Sequence, residues 1–376
     1  MMSSDTLLSD LNAAGFFQRY WQRQPLLLRG LIDVSALTAV NRQWLHRAAE
    51  DSNLDSRRVT GPDKSGDYQV EFGPGLDSRS ASAQLPWTLL VRDVDKVCEE
   101  ADALLDAFSV VGRWRMEDIM VSYATQGGSV GAHLDQYDVF LIQTSGQRNW
   151  QIDSTPDPDT HHRADQELSL LSQFQPNQHW VLEPGDCLYL PPGVPHHGVA
   201  LGGDDCITWS VGLRTPSAAE LWVGFAEYQF SQSGEDQRLR DPYRNPSQSG
   251  QIVAQDLQQV RDLLGGLRGI DDAALARWFG CHVTQTSAQW QAEGPCRPSG
   301  AYGWCRAPGA LLAWYVDDRH GWLFANGIAH ECSRVDAALI SSQRRIPHEQ
   351  WANLHSTLSA DTLDSLLEDG IFVPCD

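Results

Sequence analysis

A chain of 376 residues with 41% hydrophobic side chains is long enough for two or three domains and more than one buried core. Its formal charge of −21, from 28 basic and 49 acidic residues, speaks against direct nucleic-acid binding and for a basic partner drawn in by the long-range field. No run approaches the roughly 18 apolar residues of a membrane span, the N-terminus lacks the basic and apolar regions of a secretory signal, and the eight cysteines form no C-x-x-C pair; a cytoplasmic chain with reduced thiols and no membrane contact is expected.

From about residue 10 to 213 short β-rich segments alternate with the turns "FGPG", "TQGGS", "TSGQ", "EPGD" and "PPGVP", the rhythm of an antiparallel barrel or sandwich. Residues 1–213 are therefore expected to form a mainly β domain, with Trp21, Trp87, Trp114 and Trp150 in its core. The segment 214–280 changes texture: "ELWVGFAEYQFSQ" places Leu221, Phe225 and Tyr228 at helical spacing, "DPYRNPSQSG" interrupts it, and "QIVAQDLQQVRDLLGGL" is helical again. So short a helical insert cannot cover its own apolar faces, and a second copy of the chain is the expected partner. In 281–376 strand-like pieces ("ALLAWYV", "GWLFANG") alternate with helical ones ("RVDAALISS", "SADTLDSLLEDG") before the closing "IFVPCD", which predicts a small α+β domain.

One stretch of the β region carries chemistry. In "GAHLDQYDVFLIQTSGQRNW" a strand would turn His133 and Asp135 to the same face, with Tyr137, Val139 and Leu141 continuing it. An imidazole and a carboxylate so placed are two thirds of the facial triad that binds Fe(II) and leaves positions open. The best candidate for the third ligand is His196 in "EPGDCLYLPPGVPHHG", presented by the Pro191-Pro192-Gly193 turn. Arg148 follows the "TSGQ" turn on a returning strand, where its guanidinium can pair with the far carboxylate of 2-oxoglutarate, the co-substrate of ferrous oxygenases. In "EDIMVSYA" Ser122 offers a hydroxyl, with Met120 and Asp118 on the same face. His161 and His162 lie in the charged, turn-rich "STPDPDTHHRADQ" and are read as a solvated loop.

The runs "RYWQRQPLLLRG", "GAHLDQYDVFLIQTSGQRNWQI", "PGDCLYLPPGVPHHGVA" and "WSVGLRTPS" together resemble the bacterial Jumonji-type ribosomal oxygenases. The resemblance implies a double-stranded β-helix of the cupin/JmjC kind, then a helical dimerisation segment and a winged-helix-like C-terminal domain. It implies iron at His133, Asp135 and His196, 2-oxoglutarate at Ser122 and Arg148, and hydroxylation of an arginine β carbon in a basic large-subunit ribosomal protein. A narrow tunnel for that side chain would be lined by Tyr137, Asp118 and Ser210. His197, beside the distal ligand, departs from the pattern and leaves open which imidazole binds, although neighbours on an extended segment face opposite sides and His196 is the residue the turn presents. Other readings of the same barrel are a histidyl hydroxylase, a demethylase, or a cupin-like scaffold without activity.

Overall fold

Short apolar runs bounded by glycine and proline turns become strands throughout the first half of the chain. The computed structural model describes residues 4–51, 54–73, 76, 85–155, 163, 168–203, 205–214, 216–233, 258, 260, 271–285 and 303–375, which divide near residue 215 into two units. The strands of the first unit are β1 (Leu26–Leu28), β2 (Ser56–Thr60), β3 (Gln69–Phe72), β4 (Trp87–Val91), β5 (Met116–Ala124), β6 (Asp138–Ser145), β7 (Gln147–Ile152), β8 (Gln178–Leu182), β9 (Cys187–Leu190), β10 (His196–Leu201) and β11 (Cys206–Leu213). They form an eight-stranded antiparallel sheet in the order β1-β9-β6-β11-β5-β4-β2-β3 and a three-stranded sheet in the order β10-β7-β8.

The period-two alternation of each strand sorts its side chains between two cores. On β6, Val139 and Leu141 join Leu188 and Leu190 of β9 against Trp150, Ile152 and Leu182 of the small sheet, so the two sheets close on a shared interior. The intervening Phe140 and Ile142 turn outward, and with Tyr189, Trp209 and Val121 they meet a layer of helices. The domain is mainly β as expected, and this helical layer adds to it. The layer comprises α1 (Ser4–Ala13), α2 (Phe16–Arg19), α3 (Arg42–Glu50) and α4 (Glu99–Phe108). The physical reason is visible in α4: Ala101, Leu104, Leu105 and Phe108 recur at the helical period and are buried, while Glu99, Glu100 and Asp102 sit in the first turn, where they complement the helix dipole. In α3 the Asn41 side chain caps the helix by accepting from the Trp44 amide. Trp87 and Trp150 are buried as expected, whereas Trp21 and Trp114 are only half-buried.

The second unit begins with α5 (Ala218–Ser233), followed by α6 (Asp272–Val283), β12 (Gly303–Arg306), β13 (Leu312–Val316), β14 (Gly321–Ala325), β15 (Ile328–Glu331), α7 (Arg334–Ser342), β16 (Arg345–Pro347), α8 (His348–Leu354), α9 (Ala360–Glu368) and β17 (Phe372–Cys375). Its strands make two three-stranded sheets, β16-β12-β17 and β13-β14-β15. Within it Phe225 of α5 packs edge-on against Trp278 of α6. Most of the expected helix "QIVAQDLQQVRDLLGGL" and the pair His161-His162 lie outside the described residues. Among the described residues no helix is long and apolar enough to cross a membrane.

Phe108 is fully buried with its ring centroid 4.8 Å from that of Phe140, so it ties α4 to the back of β6. Phe108→Ala is expected to cost about 3–5 kcal/mol through lost burial and the cavity left behind. Chemical denaturation followed by tryptophan fluorescence measures this, and a loss under about 1 kcal/mol would contradict the packing described.

Candidate active site

The ligand segment is not the strand that alternation alone suggests. β6 starts only at Asp138, and His133, Asp135 and Tyr137 precede it in a loop. Two backbone constraints shape that loop. Gly131 has φ +85°, and a Cβ there would lie 2.6 Å from Leu170, so only glycine makes the turn. Beyond it His133 pairs with His196 as an isolated antiparallel bridge: the His133 amide donates to the His196 carbonyl at 3.0 Å, and the reverse bond is 2.8 Å. The Gly193 amide then donates to the Asp135 carbonyl at 2.7 Å, fastening the loop to the Pro191-Pro192-Gly193 turn.

The side chains converge accordingly. One ligand atom from each of His133, Asp135 and His196 lies within 4.8 Å of the others, and His196 Nε2 is 3.7 Å from Asp135 Oδ2. Nδ1 of His133 is 2.9 Å from the Gly131 carbonyl, and Nδ1 of His196 is 2.9 Å from the Val194 carbonyl. A carbonyl only accepts, so each Nδ1 carries the proton and each Nε2 is left as a lone-pair donor, the arrangement found in metal-bound histidines. Burial, reinforced by the His133 ring, pushes His196 down to about 4, so it is neutral and able to ligate near pH 7. A donor set of two imidazoles and one carboxylate suits Fe(II). His197 points the other way, opposite Gln151 in the β10–β7 register, with its ring set edge-on to Phe174.

Deeper in the barrel the polar residues are buried and incompletely paired. Arg148 on β7 is 4% exposed, and its Nε and Nη2 have no hydrogen-bond partner among the described residues. Such orphaned donors are costly in a protein interior, and an anionic group bound between them would remove the cost. The residues therefore fit a carboxylate such as the distal one of 2-oxoglutarate. Ser122 on β5 is buried and donates to the Thr208 carbonyl at 3.3 Å. Trp150 continues the face of Arg148; it packs so closely on β10 that a Cβ at Gly198 would meet its ring at 2.7 Å. Sequence reasoning gave Trp150 only a core role and passed over Gly198.

Nearer the mouth, Asp118 is 7% exposed, and its Oδ2 accepts from Arg92 Nε at 3.1 Å. Burial pushes the Asp118 carboxyl up, and the Arg92 charge opposes that shift. Tyr137, 41% exposed, hydrogen-bonds to Asp135 and lies in the fields of Asp118 and Arg92; burial and these acidic neighbours raise its phenol well above the usual range. Ser210 is paired with both Met120 and Leu141, which puts it on the inner face that also carries Asp118 and Ser122. Arg92 was missed in the sequence, although the period of two from Leu90, which faces Ser122 across the β4–β5 register, would have placed it on that inner face.

Two packed sheets, with two histidines and a carboxylate at one end and a buried arginine with free donors further in, define a metal-dependent oxygenase barrel of the 2-oxoglutarate-using kind. Residues 103–221 match the JmjC domain family. The chain is 33% identical over 277 residues to the ribosomal protein uL16 3-hydroxylase of Escherichia coli, covering 73% of this chain and 72% of the relative. It is also 33% identical over 258 residues to a probable ribosomal oxygenase of Haemophilus influenzae, covering 66% and 62% of the two chains. Among solved structures, Escherichia coli YcfD superposes with a TM-score of 0.79 at 29% identity, over 96% of this chain and 97% of that one. The complex of YcfD, a ribosomal oxygenase, with cobalt and 2-oxoglutarate gives 0.76 at 29% identity, over 96% and 98%. The chain belongs to the JmjC ribosomal oxygenases.

Because His196 and His197 face opposite sides of β10, the two are expected to separate cleanly on substitution. His196→Ala should abolish both Fe(II) binding, read by titration with cobalt as a spectroscopic probe, and 2-oxoglutarate turnover. His197→Ala should retain most of each; the reverse pattern would reassign the ligand.

Proposed function

We propose that this chain is an Fe(II)- and 2-oxoglutarate-dependent oxygenase that hydroxylates the β carbon of an arginine in a basic large-subunit ribosomal protein. The observation that carries the reading is the buried, half-unpartnered guanidinium of Arg148 in the same interior as the His133, Asp135 and His196 cluster. A scaffold without activity has no use for that pairing. With iron(II) and 2-oxoglutarate bound, the site couples dioxygen, 2-oxoglutarate and one C–H bond to the alcohol, succinate and carbon dioxide. The protein supplies position. His133, Asp135 and His196 would hold the metal, and Arg148 and Ser122 would bind the far carboxylate of 2-oxoglutarate and so orient the co-substrate. The Trp150 ring lies 5.8 Å from the Arg148 guanidinium.

The substrate side chain would enter at the mouth, along the Tyr137 ring and toward the carboxylate of Asp118, with Ser210 further along the same face. A net charge of −21 favours encounter with a basic ribosomal protein, and a ribosomal-protein substrate agrees with residence in the cytoplasm. The uL16 3-hydroxylase named among the relatives favours arginyl hydroxylation over histidyl hydroxylation or demethylation. Mass spectrometry of ribosomal proteins from cells with and without the gene tests this. A gain of one oxygen, about 16 Da, on an arginine of a large-subunit protein is expected, lost when His133→Ala replaces the native chain; an unchanged arginine would overturn the reading.

The helical segment 214–280 is proposed to join two copies of the chain, with the winged-helix-like region 281–376 helping to hold the substrate. Trp222, Val223 and Phe230 of α5 are exposed, an apolar surface that a two-fold partner would bury. Light scattering is expected to give a dimer at micromolar concentration, and Trp222→Glu with Phe230→Glu a monomer; a monomeric native chain would refute the assembly.

A further inference from the structure

On the inner face Asp118 pairs with Arg92, a residue the oxygenase reading leaves without a role. Asp118 lies on β5, and Arg92 follows the end of β4 directly, so both sit at the end of the sheet where Tyr137 carries its bond to Asp135. Arg92 approaches the carboxylate through Nε alone, at 3.1 Å from Oδ2, and among the described residues this is the carboxylate's only hydrogen bond. Oδ1 lies beside Gly212, where a Cβ would stand 3.2 Å from it, so a side chain at that position would crowd this oxygen. The Arg92 side chain is 46% exposed and lies in the fields of Asp93 and Asp55 as well as Asp118. Asp55 is exposed, whereas Asp93 already pairs with Lys96 at 2.6 Å.

We infer that Arg92 makes this pocket selective for a guanidinium over an ammonium, by holding one oxygen of Asp118 through a single bond that only a two-point donor displaces. The inference rests on the reading that a basic substrate side chain reaches Asp118. A guanidinium presents two parallel N–H groups in a fixed plane and can take both carboxylate oxygens at once. It gains two charge-assisted bonds for the one it displaces. Arg92 loses little in moving, because an ion pair with a half-exposed partner is weak and the exposed Asp55 carboxylate also attracts it. A lysine ammonium is a compact point charge that engages one oxygen at a time. At Oδ1 it would stand beside the Arg92 cation, and at Oδ2 it would exchange one single bond for another, so the like-charge contact is not offset. Arg92 is thus a source of rejection for the wrong cation, independent of any attraction for the right one.

The test uses the iron-loaded full chain and two peptides with the sequence around the arginine that gains oxygen in cells, identical except for Arg or Lys at that position. The native chain is expected to prefer the arginyl peptide in kcat/KM. Arg92→Gln should narrow the preference by about tenfold or more, chiefly through faster turnover of the lysyl peptide, the effect of removing one unfavourable charge contact. Arg92→Lys, which keeps the charge, should keep the preference, and thermal melting of all three proteins checks that folding is intact. An unchanged preference in Arg92→Gln, a loss of arginyl turnover with no gain for lysine, or equal narrowing by Arg92→Lys would each overturn the inference. Failure of the native chain to hydroxylate the arginyl peptide would instead overturn the functional reading beneath it.

Discussion

The site depends on two reciprocal backbone hydrogen bonds between His133 and His196. A facial cluster needs donors from distant parts of the chain brought within a few ångströms, and side chains on separate loops would not hold that spacing. Here the main chain does it. The bridge locks the loop ahead of β6 to the first residue of β10, and the Gly193 amide on the Asp135 carbonyl closes the same small frame from the adjoining turn. The imidazole positions then follow from the backbone, each ring being held by a carbonyl two residues earlier, on Gly131 and Val194. This is preorganisation: the ordering cost falls on folding and not on metal binding.

The energetics divide between the two faces of the large sheet. Its outer face is apolar and covered by helices, with Phe140, Trp209 and Tyr189 among the fully buried side chains. The interior between the two sheets tolerates what a core ordinarily rejects, namely Arg148 of the small sheet with unpartnered donors and, on the large sheet, the hydroxyl of Ser122 and the carboxylate of Asp118. Each of these raises the free energy of the empty barrel. The apolar layer at the back offsets that cost. Stored desolvation at Arg148 becomes binding free energy once a carboxylate arrives, which is why a buried guanidinium selects an anionic co-substrate more sharply than an exposed one would.

Much of this was legible in the sequence where chemistry and local geometry coincide. The H-x-D pair, the Pro-Pro-Gly turn before His196 and the position of Arg148 after a hairpin turn each report a local fact, and the structure brings all four side chains into one interior. What failed was the assumption that period-two alternation extends back from β6 to His133. Alternation describes Val139 to Ile142 well, but the chain bends at Gln136 and Tyr137 between β6 and His133, and the tertiary bridge to His196 is invisible in a single segment. The outer helices were overlooked for a related reason: α4 is ten residues long and lies between turn-rich β segments, so its helical period competes with a β-rich neighbourhood. Arg92 was missed because its significance lies in a partner on the adjacent strand.

The same geometry explains why two glycines and a tryptophan belong to the chemistry without touching it. Gly198 lets the Trp150 ring lie against β10 without disturbing the backbone ladder that pairs β7 with β10 from Arg148↔Ala200 to Ile152↔His196. Arg148 and His196 therefore stand at opposite ends of one paired ladder, and their separation is fixed by the number of strand residues between them. A rigid spacing of that kind measures a ligand. On the proposed reading, a two-carboxylate co-substrate would span from the Arg148 guanidinium toward the metal ligands along this ladder. Gly212 plays the corresponding part in the proposed pocket at the mouth, where a side chain would crowd Asp118 Oδ1. Selectivity in this barrel thus owes as much to where side chains are withheld as to where charged groups are supplied.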